Sequence, residues 1–229
     1  MTKMISHFKP FLVLFLISIL LKPAFGQEAF TGQVVYHISY EGSLIDLPEQ
    51  QQLPTQVVIM ARKHLVRSEM IAPQLRQVKI ADAEEKTTTT LLEIYDHKYA
   101  IVKSSGEIEE QLAEMPEVEF IFTDEREMIL GYECRKALAI TYDAQGMKHT
   151  SEIFYTEQLE GYPLQFDTPY REIPGLMLRY ELRAGPLVMH YQATAIEEKW
   201  MVGGSHFKIP SDYQLITYQE LRQKLSGDL

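Results

Sequence analysis

Cysteine is almost missing from this chain: Cys134 is the one thiol in 229 residues. A single thiol closes no internal disulfide, so no covalent staple supports the fold and an apolar core must. No cysteine follows the N-terminal apolar run, where an acylated lipoprotein anchor would need one. Asparagine is absent, but glutamine is plentiful, as at Gln50, Gln51 and Gln52, and selection against heat-labile amides would deplete both. That absence therefore says nothing about thermal adaptation. Positive charge is scarce: 22 Lys and Arg face 32 Asp and Glu, for a net charge of −10. Such a surface repels phosphate backbones. The densest basic group, Arg62, Lys63 and Arg67 beside Glu69, reads as a solvated strand edge, so nucleic acid is not an expected partner. Long apolar runs are lacking too, since Phe11 to Leu21 falls well short of the roughly 20 residues that cross a bilayer as a helix.

That short run sits in a recognisable setting. Lys3 and Lys9 precede it, and Ala24-Phe25-Gly26 follows with small residues at the two positions a signal peptidase reads. The layout predicts a cleavable signal peptide over residues 1–26 and an exported mature chain, 27–229, with no integral membrane span. Cleavage would remove Lys3, Lys9 and Lys22 and no acid, leaving the mature chain more negative still. An apolar content of 45% with 24% charged residues is ordinary globular composition, and no compositional break divides it, so one domain is expected. Only Leu44 to Pro54, rich in Pro and Gln, reads as disordered.

The dominant period is two. Val34, Tyr36, Ile38 and Tyr40 alternate with Val35, His37 and Ser39, as in a strand with one buried face. Further strands are predicted over Thr55–Met60, Leu65–Ile71, Gln74–Ala81, Thr87–Tyr95 and Lys98–Lys103, with a turn at Asp96-His97. Ile108, Leu112 and Met115 change to helical spacing, which predicts a short helix from Glu107 to Met115, ended by Pro116. Strands return at Tyr132–Tyr142, where Tyr132, Cys134, Leu138, Ile140 and Tyr142 share a parity, and at Lys148–Thr156. An irregular stretch from Asp167 to Pro174 precedes a strand carrying Leu176, Leu178, Tyr180 and Leu182 on one face. The last long strand carries Leu187, Met189, Tyr191, Ala193 and Ala195. A short strand at Tyr213–Ile216 and a helix from Tyr218 to Leu225, capped by Thr217 with Glu220 three residues on, close the chain. The pattern predicts a mainly β, α+β fold: a curved antiparallel sheet with a few short helices.

Chemistry is harder to find. None of the seven histidines stands at a metal-ligand spacing, and no nucleophile elbow, phosphate loop or dinucleotide fingerprint occurs. No metal, cofactor or catalytic residue is therefore expected. Cys134 could act as a nucleophile only with His149 or His206 brought beside it, and its apolar parity reads instead as small core residue. Gly203-Gly204-Ser205 reads as a flexible link. The aromatic and apolar positions Tyr36, Ile38, Leu178, Tyr180, Met189 and Tyr191 share strand faces. They read either as filled core or as the wall of a concave apolar cavity suited to acyl chains.

Four segments, in order, carry a family resemblance. Ile129-Leu130-Gly131-Tyr132-Glu133-Cys134-Arg135-Lys136-Ala137 resembles the I-x-G-Y-x-C-x-K-A stretch of a GLPGLI-type group of exported domains from Gram-negative bacteria. Glu152-Ile153-Phe154-Tyr155-Thr156 is similar to that group's aromatic strand. Ile173-Pro174-Gly175-Leu176-Met177-Leu178 is similar to its namesake motif, with Glu172-Ile173 where Gly-Leu would stand. Phe207-Lys208-Ile209-Pro210-Ser211-Asp212-Tyr213 resembles its closing F-x-I-P-x-x-Y. The resemblance implies a LolA/LolB-like unclosed β-barrel in the periplasm, or outside the cell. It implies no catalytic residues. The expected role is a non-enzymatic binding module for a lipid or lipidated peptide, held by the six residues above. The alternatives are an interaction or scaffold domain with a cell-envelope protein partner, and a hydrolase with an unrecognised site.

Overall fold

The computed structural model of the protein describes residues 30–42, 53–143, 145–159, 165–185, 187–200 and 202–227. The expected signal peptide lies outside them. So do residues 44–52 of the expected disordered connection, and Pro186 of the expected turn before the last long strand. The described elements are β1 (Gly32–Glu41), β2 (Gln56–Arg62), β3 (Leu65–Ala72), β4 (Leu75–Asp82), β5 (Thr87–Ile94), β6 (His97–Lys103), α1 (Ser105–Glu114) and β7 (Glu119–Ile129). They continue with β8 (Tyr132–Tyr142), β9 (Lys148–Thr156), β10 (Leu176–Ala184), β11 (Leu187–Glu198), a 3-10 turn (Gly204–Phe207), β12 (Gln214–Leu215) and α2 (Tyr218–Gly227).

All the strands join one unclosed sheet, ordered β12-β6-β5-β4-β3-β2-β1-β11-β10-β9-β8-β7. Two meanders, β1 to β6 and β7 to β11, meet where β11 returns to pair with β1 from Gly32↔Glu198 to Glu41↔Val188. Every pairing is antiparallel except β12 beside β6, which is parallel. Thr194 has no opposite number on β1, because Ala195 faces Val35 while Ala193 faces Tyr36. This bulge shifts the parity of β11, so Ile196 and not the expected Ala195 joins the core.

The segment 165–173 shows how strongly the sheet curves. Phe166 packs with Val66 and Ala81 of β3 and β4, and Asp167 pairs with Lys79 of β4. Four residues beyond Phe166, Tyr170 meets Phe120 of β7 edge to face at 6.0 Å. In the strand order β4 and β7 are eight spacings apart, about 38 Å on a flat sheet. Three successive turns keep the bridging segment short: Thr168 N–H to Gln165 O, Arg171 N–H to Thr168 O and Ile173 N–H to Tyr170 O, at 3.0 to 3.3 Å. One short segment can touch both strands only if the sheet bends around it.

Helix α1 lies beside this roof, its Ile108 buried with Val66, Ala81, Ala83 and Phe166. It is started by a capping box, in which Glu107 accepts from Ser104 N–H at 2.8 Å and Ser104 Oγ accepts from Glu107 N–H at 3.4 Å. The opposite, convex face is crossed by a strap, residues 202–213. Phe207 and Tyr213 of the strap cover Val78, Ile80, Leu91 and Ala100. Leu92, next to Leu91, points to the other face and packs with Tyr99, Ile101, Ile216 and Leu221 of α2. The chain therefore folds around the β6 edge, from the convex face to the concave one, through β12.

Three further expectations are corrected here. Arg67 is buried on a central strand, not solvated at an edge: its guanidinium donates to His206 O at 2.9 Å and to Glu69 at 3.0 Å. The Gly203-Gly204-Ser205 link is consequently a clamped 3-10 turn, with Arg62 donating to Val202 O at 3.2 Å. Strand β7 masks its alternation, because acids occupy positions on both of its faces. On β8 Cys134 and Ile140, of the expected parity, are buried, but so are Ala137 and Ala139 of the opposite one, while Tyr142 is exposed. Small side chains suit the inner face, where the roof packs close.

Candidate ligand-binding face

The six residues singled out from the alternation form one patch on the concave face, spread over β1, β10 and β11. Register brings them together. Tyr191 stands between Ile38 on one neighbouring strand and Tyr180 on the other, and Met189 stands between Tyr40 and Leu182. Tyr180 and Tyr191 are direct cross-strand partners, so their rings stack at 4.7 Å, about the strand spacing, with an interplanar angle of 2°. Tyr36 reaches over β11 to donate from its hydroxyl to Met177 O at 2.8 Å, and its ring meets Tyr180 edge-on at 6.0 Å. Leu178 is fully buried at a bulge of β10. Tyr36, Ile38, Leu178, Tyr180 and Tyr191 are buried; Met189 is half-buried.

Sequence reasoning did not find the rest of this surface. Tyr170 and Ile173 come from the roof, and Phe120 and Phe122 come from β7, where Phe122 meets Tyr155 of β9 edge to face at 6.1 Å. Their alternation on β7 is visible once the acids around them are set aside. The roof is locked into β10 by Gln165, whose amide donates to Ile173 O at 3.1 Å. At the end of β1 the surface opens into a depression of about 340 Å³, lined by Ile38, Tyr40, Leu53 and Thr55 among others. Tyr40, one of its lining residues, donates to Pro54 O at 2.5 Å. Ile38 belongs to both the depression and the buried patch.

Burial pushes the phenols of Tyr36 and Tyr180 well up from their ordinary value, and Tyr191 up to about 12. All stay neutral across the physiological range. Such a face offers dispersion, aromatic contact and a few hydroxyls; it is not poised to take up or release protons near neutral pH. Elsewhere, Cys134 is buried with its thiol pushed up to about 11, chiefly by that burial. The two histidines that could have activated it are engaged apart from it: His149 with Asp143 at 3.0 Å and His206 with Gly203 O at 3.2 Å. No group of three or more potential metal ligands is assembled among the described residues.

No protein-family model matches the chain, and no curated protein matches it in sequence. Two solved structures, of PNGF-II in the P21 and in the C2 space group, are similar to it over 87% of its length, each with a TM-score of 0.51 and 17% identity. The chain spans about a third of each, 34% and 33%. At that identity the likeness concerns the fold alone.

Proposed function

We propose that the protein is a periplasmic, non-enzymatic binding module that holds an apolar ligand, a lipid or a lipidated peptide, against the concave face. The observation that carries this reading is the patch of Tyr36, Ile38, Leu178, Tyr180, Met189 and Tyr191, covered among the described residues by the turn segment 165–173, with α1 beside it, and continuous through Ile38 with a depression at the end of β1. A thin roof of short elements can shift to admit a chain where a second packed sheet could not. The GLPGLI-type resemblance supports the same reading, because it implies export and a LolA/LolB-like half-barrel. Its quoted segments fall on β8, β9, the junction from roof to β10, and the strap.

The test is direct. The mature chain, purified without detergent, should release a lipid on denaturing extraction, identified by mass spectrometry. It should also enhance the fluorescence of a polarity-sensitive fatty-acid probe. Met189→Trp, which fills the half-buried end of the patch, should weaken probe binding about tenfold while leaving the melting temperature within a few degrees. No extracted lipid together with no probe enhancement would sink the reading. It would then favour the second one, a cell-envelope interaction module, to which the occurrence of this fold within chains three times longer lends weight.

A further inference from the structure

The sheet has two ends, and they are finished differently. At one end β12 pairs with β6 through Gln214↔Tyr99 and Leu215↔Ala100, and α2 packs behind it. At the other, β7 runs for 11 residues, and no described strand pairs with its outer edge. A free edge of this length presents a row of unused backbone N–H and C=O groups. Proteins commonly guard such an edge with charge and a bulge, and β7 has both: Glu119, Asp124, Glu125 and Glu127, with a register shift between Phe122 and Arg126. Yet the same strand leaves Ile121, Phe122 and Met128 exposed at 49%, 45% and 63%. Guarding alone does not call for large apolar groups in water.

The charge on this flank is predominantly negative. From Gly106 to Met128 the acids are Glu107, Glu109, Glu110, Glu114, Glu117, Glu119, Asp124, Glu125 and Glu127, and Arg126 is the sole base. Some are spent on internal partners: Glu107 caps α1, Glu109 meets Arg171, Glu125 meets Lys136 and Glu127 grips Arg179. Glu110, Glu114, Glu117, Glu119 and Asp124 pair with no basic side chain among the described residues. A second copy of β7 is a poor occupant. Antiparallel pairing centred on Thr123 would set Glu119 against Glu127 and Phe122 against Asp124, and like charges directly opposite are destabilising.

We infer that the outer edge of β7 is a strand-addition site for an extended segment of another polypeptide carrying lysine or arginine among apolar residues. Backbone pairing to β7 supplies most of the affinity, Phe122 receives apolar side chains on one face, and the unpaired acids select basic ones on the other. This site borders the concave surface, shares Phe122 with it, and stands whether or not the tyrosine patch holds a lipid.

The experiment uses the full mature chain and three fluorescein-labelled decapeptides: alternating lysine and valine, alternating glutamate and valine, and the lysine peptide N-methylated throughout. The lysine peptide should bind, about tenfold more weakly at high salt than at low, and should protect amides of residues 119–129 from hydrogen exchange. The glutamate and N-methylated peptides should not bind. Charge reversal on the edge by Glu117→Lys, Glu119→Lys and Asp124→Lys together should weaken the lysine peptide at least tenfold and admit the glutamate peptide. Binding of the N-methylated peptide as tightly as its parent would reduce the contact to charge attraction and overturn the proposal. Absence of binding, protection gained only outside residues 119–129, or a dimer of the free chain with those amides already protected would also overturn it.

Discussion

At Gly175 the backbone has a φ of +140°, and a Cβ there would lie 2.3 Å from the Thr156 carbonyl oxygen. The residue sits where the roof turns into β10 beside the end of β9, so neither strand can back away without losing its pairing. Gly175→Ala should therefore destabilise the protein by about 2 kcal/mol or more, read as a lowered thermal midpoint. An unchanged midpoint would mean the junction is softer than its geometry indicates. The irregular stretch ending at Pro174 was legible in the sequence. The need for bare backbone was not, because the clashing atom belongs to a residue nineteen positions away.

At the scale of elements, the strap is held in part by carboxylates that acid would discharge. The Tyr213 hydroxyl donates to Glu93, and this bond, with Arg76 adding to it against some burial, holds the Glu93 carboxyl below its ordinary value. Lys98 does the same for Asp212, through a contact of 2.7 Å. Both carboxyls have folded values depressed below the unfolded ones. Their contribution is thus complete above about pH 4 to 4.5 and is lost as the pH falls through the depressed folded values. Hydrogen exchange at low pH, corrected for its intrinsic rate, should show residues 202–216 losing protection while β1 and β11 keep theirs. Simultaneous loss in both would count against a separately held strap. Sequence reading found most strands, since alternation of apolar and polar residues is local. It missed β7, where acids hide the period, and it took Gly203-Gly204-Ser205 of the strap for a flexible link, because Arg62 and Arg67 reach this segment from some 140 positions away.

For the whole molecule, the decisive contact is β1 with β11, which joins the two meanders and sets the patch of tyrosines at the seam. Tyr36 touches both halves, through the register of β1 with β2 and through its bond to Met177 of β10. Tyr36→Ala should cost about 3 to 5 kcal/mol, in the range for removing a large buried aromatic. It should also destabilise both halves together, so that far-ultraviolet circular dichroism and the fluorescence of Trp200, the one tryptophan, report a single urea midpoint. Two separated transitions would show that the meanders are independent units. The pairing of distant strands also makes folding slow, with loop closure from β1 to β11 preceding the final contacts.

Composition and alternation already establish an acidic, disulfide-free, mainly antiparallel β chain and the six apolar positions that share its inner face. These properties are read from neighbouring residues, one strand at a time. Whether such positions meet depends on register and curvature, which arise from pairings between residues far apart in the chain. The stacking of Tyr180 on Tyr191, the roof laid across from β4 to β7, the burial of Arg67 and the open acidic edge of β7 are all consequences of that long-range pairing. No local pattern specifies them, because a strand's alternation is the same whichever neighbour it finds.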